Sequence, residues 1–191
     1  MRLVKEMLNG YLRKEGSYPR KVAMVLWATE TVRNQGVNEA QILYLLGMRP
    51  KWDRADRVVG LDVIPGRSLG RPRIDVVVNA SGLYRDMFPQ MLLLLDEAVR
   101  RAALLRDVEN FVALNARLLE RALLREGMDE ARARRLSLTR VFSEEPGSYG
   151  TGVSEMTANT GYWKDSMDVA RVFVNRMGFA FGRGMWGARA Q

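Results

Sequence analysis

Apolar residues three and four positions apart open the chain. Leu3, Val4, Met7, Leu8, Tyr11 and Leu12 share one face of a helix predicted over 1–15, and Gly16 ends it. Past a turn at Ser17, Tyr18 and Pro19 the pattern becomes an unbroken apolar run, Val22, Ala23, Met24, Val25, Leu26 and Trp27. A run without polar alternation predicts a strand buried on both faces. Helical spacing returns over 29–46, broken at Gly36 and restarted by Val37, Asn38 and Glu39, with Ile42, Leu45 and Leu46 toward a core. The stretch 48–69 is mixed. A turn over 53–57 precedes a strand over 58–64 closed by Pro65 and Gly66, and Gly60, Gly66 and Gly70 read as hairpin punctuation. Ile74, Val76, Val77 and Val78, interrupted only by Asp75, form the second buried strand, with Pro72 at its entry.

Helical periods dominate the middle of the chain. Asp86 and Pro89 stand where an N-cap and a first-turn proline belong, ahead of Leu92, Leu95, Val99, Ala102 and Leu105. Phe111, Val112, Leu118, Leu119, Ala122 and Leu123 make the next helix, which Gly127 ends, and Asp129 caps a third that stops near Leu138. A glycine-rich loop over 146–152 follows, then short helical patches over 155–159 and 166–177. The aromatic and glycine-rich stretch 178–187 has neither period. Strand–helix alternation in the first half predicts an α/β fold, a largely parallel sheet flanked by helices, with additional helices in the C-terminal half. The expected organisation is an N-terminal helix (1–17), an α/β unit (18–106) and a helical, glycine-rich segment (107–191) packed on it or following it.

Composition narrows the chemistry. The 191 residues include no cysteine and no histidine, which removes thiolate nucleophiles, imidazole bases and Cys- or His-ligated metals. The longest strictly apolar run, 22–28, is far short of the ~20 residues that cross a bilayer, and no secretory signal is visible, so a cytoplasmic protein without a membrane span is expected. Basic residues outnumber acidic ones by 30 to 22, and 25 of the 30 are arginine. The excess is spread along the chain without a nucleic-acid-binding motif, so no nucleic acid partner is expected. Arginine's planar fork fits carboxylates and phosphates instead, although a solvated basic surface accounts for the same count.

In an open parallel sheet ligands bind beyond the carboxyl ends of the strands. The first buried strand delivers Thr29 and Glu30 there, and the second delivers Asn79, Ser81, Arg85 and Asp86. Each loop enters a helix, whose first turn favours an anion. Plainer roles compete: Glu30 and Asp86 as first-turn or capping charges, Arg85 as the partner of Asp86 or of a neighbouring loop, Asn79 and Ser81 as turn residues. The loop over 147–152 lacks a Walker lysine, the next lysine being Lys164, and reads as a backbone turn held by glycines.

Six ordered segments carry a family resemblance: PRKVAMVLW at 19–27, TETVRNQGVNEAQ at 29–41, LGMRP at 46–50, LGRPRIDVVV at 69–78, SGLYRDMFP at 81–89, and RVF at 140–142 followed by GSYGTG at 147–152. Together they resemble the large subunit of cobaltochelatase and magnesium chelatase, over about nine-tenths of the chain. QGVNEAQ at 35–41, and LYRD followed by Phe88 and Pro89, resemble the cobalt branch. That family's large subunit is several times longer, so the chain reads as an interior piece of one.

The resemblance implies a tetrapyrrole-binding component acting with AAA+ ATPase subunits, which use ATP that this chain does not bind. The implied reaction inserts Co(II), the substrate metal, into the corrinoid hydrogenobyrinic acid a,c-diamide during cobalamin biosynthesis. Glu30, Arg85 and Asp86 are then the candidate catalytic residues, and Thr29, Asn79, Ser81 and Arg85 the candidate substrate-binding residues. Arg85 is expected to pair with a tetrapyrrole carboxylate, and Glu30 to lie close by, positioning Arg85 or accepting a pyrrole proton. No metal ligand follows from the residues. The alternatives are a magnesium-chelatase large subunit acting on protoporphyrin IX and a non-catalytic α/β module that binds a small anion.

Overall fold

The computed structural model describes residues 2–158 and 161–190. Met1, Asn159 and Gln191, at the ends of predicted segments, lie outside the described residues. The elements run in order α1 (Arg2–Glu15), β1 (Lys21–Leu26), α2 (Ala28–Asn34), α3 (Val37–Leu46), β2 (Met48–Trp52), β3 (Val58–Val63), α4 (Gly66–Leu69), β4 (Asp75–Ala80), α5 (Gly82–Met87), α6 (Pro89–Ala103), α7 (Phe111–Arg125), α8 (Glu130–Ser137), β5 (Val141–Ser143), α9 (Val153–Thr157), α10 (Ser166–Arg176), β6 (Phe179–Gly182) and β7 (Met185–Arg189).

Five strands form one sheet in the order β1-β4-β5-β6-β7. The first three are parallel, with Met24 opposite Val78 and Val78 opposite Val141, whereas β5-β6 and β6-β7 are antiparallel. β2 and β3 make a separate antiparallel hairpin. The α/β reading with parallel inner strands and flanking helices therefore holds, and the sheet extends through the C-terminal part of the chain.

The second apolar run behaves as its pattern predicts. Val76, Val78 and Ala80 of β4 are wholly buried, and the strand is paired on both sides. The first run does not. β1 is an edge strand, paired with β4 alone; Lys21, Ala23 and Val25 are exposed, while Val22, Met24 and Leu26 turn inward. Its burial alternates like that of any half-buried strand. Apolar residues at the outward positions Ala23 and Val25 disguise the period.

Other segments depart from the pattern for local reasons. Residues 179–189 form the hairpin β6-β7, turned at Gly184 with φ +76°, and a register shift between Ala180 and Phe181 erases the strand period. Asp96, buried in α6, accepts the Arg183 N–H at 2.9 Å, and its carboxyl packs so close to Gly182 that a Cβ there would stand 2.5 Å away. Gly66 and Gly70 bracket α4 rather than a hairpin, and Gly66 donates its N–H to Asp107 at 2.7 Å. Asp86 caps no helix. It lies within α5, and Phe88 precedes Pro89 at the start of α6.

The core unites α6 (Leu92, Leu95, Val99) and α3 (Ile42, Leu45, Leu46) with β4, Val141 and Phe181. At the amino end of the parallel strands Asp75 is fully buried, accepting from Arg140 Nε at 2.8 Å and Asn115 Nδ2 at 2.9 Å. No helix among the described residues is long and apolar enough to cross a membrane.

Candidate functional site

The carboxyl ends of β1 and β4 open on a cavity of about 330 Å³. Val25, Trp27, Phe173 and Met177 supply an apolar wall, and Asn79, Ser81, Glu144 and Thr151 a polar one. Ser81 is fixed twice: its N–H donates to Leu26 O at 2.9 Å, tying β4 to β1, and its hydroxyl accepts the Tyr84 N–H at 3.2 Å as the cap of α5. Below that cap Tyr84 is fully buried, and with Thr31 it donates a hydroxyl to Glu39 Oε1, at 2.9 and 2.7 Å. Burial, then the adjacent Glu39 carboxylate, pushes the Tyr84 phenol far up.

Arg85 lies under the polar wall, not in the cavity. Its side chain is 1% exposed, and every guanidinium nitrogen is engaged. Nε and Nη2 donate to the two oxygens of Asp86 at 2.6 and 2.8 Å, and Nη1 donates to the carbonyls of Glu144 and Glu145 at 2.9 and 2.8 Å. Asp86 also accepts the Tyr149 hydroxyl at 2.7 Å. The Arg85 hydrogen bonds hold the Asp86 carboxyl below its ordinary value and raise Arg85, and the bond to Asp86 raises the Tyr149 phenol. This pair latches the glycine-rich loop onto α5. Gly82 lets the two approach, since a Cβ there would stand 2.6 Å from Ser148 O.

Two amides of the glycine-rich loop are spent on the residues just before it, the first being Ser148 N–H, which donates to Glu145 O at 2.9 Å. Gly150 N–H donates to Glu144 Oε1 at 3.1 Å, and the Ser143 hydroxyl donates to Oε2 at 2.9 Å. Glu144, only 2% exposed, is thus a buried carboxylate in the cavity lining, held by two neutral donors.

Of the residues expected from sequence, Asn79 and Ser81 meet in the cavity wall, with Arg85 and Asp86 bracing it. Thr29 and Glu30 are on the first turn of α2, which packs on α5, and neither lines the cavity. Glu30 is bound by Arg33 at 2.8 and 2.6 Å and by Asn34 at 3.3 Å; the Arg33 hydrogen bonds hold its carboxyl below the usual range. It makes no hydrogen bond with Arg85, whose carboxylate partner is Asp86. Glu144, Thr151, Phe173 and Met177 escaped the sequence reading. The signal was faint, because β5 is three residues long and places Glu144 beside the cavity without an apolar run to announce it. Among the described residues no group of three Asp or Glu side chains could hold a metal ion.

The chain matches the family model described as CobN/Magnesium Chelatase over residues 1–191. It is 36% identical to the aerobic cobaltochelatase subunit CobN of Sinorhizobium sp, over 93% of this chain and 14% of that protein. It is 39% identical to the chloroplastic magnesium-chelatase subunit ChlH of Oryza sativa subsp. indica, over 87% of this chain and 12% of that protein. Its fold superposes on the catalytic subunit of cobaltochelatase from Mycobacterium tuberculosis with a TM-score of 0.89 and 37% identity, covering 98% of this chain and 16% of that one. The chain thus spans between 12% and 16% of the length of these proteins. With ordered similarity from end to end and the same fold, the chain belongs to the CobN/magnesium-chelatase family.

Proposed function

We propose that the chain is a part of the tetrapyrrole-binding large subunit of a cobaltochelatase, which inserts Co(II) into hydrogenobyrinic acid a,c-diamide while partner AAA+ subunits hydrolyse ATP. The observation that carries this reading is the two-sided cavity at the carboxyl end of the parallel strands. A corrinoid has an apolar ring face and an edge of carboxylates and amides. Trp27, Phe173 and Met177 suit the face; Asn79, Ser81 and Thr151 suit the edge. The volume fits one side of the macrocycle rather than all of it.

Metal insertion releases two pyrrole protons, so the site needs a base. Glu144 is the carboxylate in the lining, and we assign it that role, with Ser143 and Gly150 holding it in place. Arg85 and Asp86 act through the loop they latch, as positioning residues. Thr29 and Glu30, two and three residues past Trp27, serve the outer part of the macrocycle.

Titrating the chain with the corrinoid tests the binding half. Saturable quenching of tryptophan fluorescence is expected, and Trp27→Phe should remove most of it. In the complete large subunit with its ATPase partners, Glu144→Gln should slow insertion by about 10²-fold or more while corrinoid affinity stays. Absence of saturable quenching, or insertion at the parent rate in Glu144→Gln, overturns the reading. Protoporphyrin IX belongs in the same titration, since the chain is similar to magnesium-chelatase subunits too. Tighter binding of the porphyrin moves the assignment to magnesium.

A further inference from the structure

Among the described residues β1 and β7 end the five-stranded sheet, and β2 and β3 each leave an outer edge on the hairpin. Three of these four edges are blunted. β2 holds Pro50, which has no N–H to offer. β3 carries an extra residue, Val59, between the pairings of Val58 with Trp52 and of Gly60 with Lys51, and β7 carries another, Gly187, between Trp186 and Ala188. β1 has none of these devices. It pairs with β4 in unbroken register from Lys21 to Leu26, without proline or bulge, and its single charge, Lys21, turns to Asp75 at 3.7 Å.

The ladder shows which groups this edge leaves open. Leu26 O accepts the Ser81 N–H, so Val22, Met24 and Leu26 turn their peptide groups to β4. The N–H and C=O of Ala23 and Val25 point the other way, to an edge with no strand beside it. The side chains of the same two residues, with Trp27, stand on an uncovered face of the sheet, where Val25 and Trp27 are 52% and 53% exposed. Parallel pairs are ordinarily covered on both faces. A regular edge and a bare apolar face on the same residues together describe a seat for one more extended segment, with apolar side chains at alternate positions. Most of the large subunit is available to supply it, because this chain corresponds to only 12% to 16% of the length of its relatives.

We propose that the free edge of β1 takes an additional strand from another part of the same large subunit, which walls the open side of the crevice beside Val25 and Trp27. Nothing in this pairing depends on the substrate, so it holds for either metal branch.

Photocross-linking of the complete large subunit, with p-benzoylphenylalanine in place of Val25, tests this. Irradiation is expected to join the probe to one segment outside residues 1–191 of the same molecule. Ala23→Pro removes an outward N–H without touching the β4 ladder, and should cut the yield by about fivefold or more; Ala23→Thr keeps the N–H and should leave the yield as it was. In the unaltered subunit, where folding is not at issue, the Ala23 and Val25 amides should exchange with deuterium about 10²-fold more slowly than in an open chain. Open-chain exchange at both amides overturns the proposal. So does the absence of a cross-link, a cross-link between two copies of the subunit, or one that survives Ala23→Pro at full yield.

Discussion

Arginine in this chain is a structural fastener before it is a ligand. Arg73 is fully buried and donates to the carbonyls of Leu46, Gly47 and Ile64 at 3.2, 2.9 and 2.9 Å, and to Asp107 at 2.9 Å. One side chain joins the end of α3, the β2-β3 hairpin and the loop before α7. Gly47 is glycine for this reason: at φ +76° a Cβ would stand 2.1 Å from Arg73 Nη1. Arg73→Met takes the guanidinium from three carbonyls, of which Gly47 O keeps the Ile64 N–H at 3.0 Å, and should cost about 3 kcal/mol, read as a fall in the urea midpoint. Arg73→Lys should recover only part of that, because a point charge cannot reach three carbonyls at once. The Arg73 hydrogen bonds also hold the Asp107 carboxyl below its ordinary value. A depressed carboxylate stabilises the fold fully above its unfolded pKa, near 3.9, and this is lost as pH falls through the folded value. Acid unfolding of Asp107→Asn should accordingly show a shallower loss of stability below about pH 4 than the parent chain.

Among elements, the helices were the most legible. Apolar faces at 3.6-residue spacing, with Gly127 and the cap at Asp129, placed α6, α7 and α8 to within a few residues, and that cap bonds as expected, Asp129 accepting from Arg132 N–H at 2.9 Å. Strands fared unevenly. β4 announced itself because both its faces are buried, whereas β1 imitated it with apolar residues on a solvent-facing side. β5 and β6 are too short and too irregular to carry a period. The site followed suit. The crevice rule reached Asn79 and Ser81, which follow directly from β4, but Glu144 hangs on β5 and Phe173 on α10, whose approach is a matter of tertiary packing. The contact of α5 with the glycine-rich loop leaves no room for an added methyl group. Gly82→Ala should push Ser148 and Tyr149 outward, lowering stability by about 1–3 kcal/mol and weakening corrinoid quenching of Trp27 together. A loss of stability with quenching intact would separate the loop from binding.

For the whole molecule, the two ends of one sheet carry different chemistry: a carboxylate and an apolar wall at the carboxyl edge, the buried Asp75–Arg140 ion pair at the amino edge. Neither end has a Walker lysine or a cluster of metal-ligating carboxylates among the described residues. Assayed by itself, the chain is expected to show neither ATP hydrolysis nor cobalt insertion, and turnover by the purified chain without partner subunits would contradict this. The order of the strands has a further consequence, for how such a sheet is assembled in time. β1 waits for β4 across α2, α3 and the β2-β3 hairpin, and β4 waits for β5 across four helices. Every parallel pairing closes a long loop before any contact rewards it, so acquisition of the native sheet is slow relative to its helices. Until the final hairpin arrives from residues 179–189, Asp96 lacks its partner at Arg183 and Phe181 has no core to enter. The β6-β7 hairpin thereby decides when this sheet is complete.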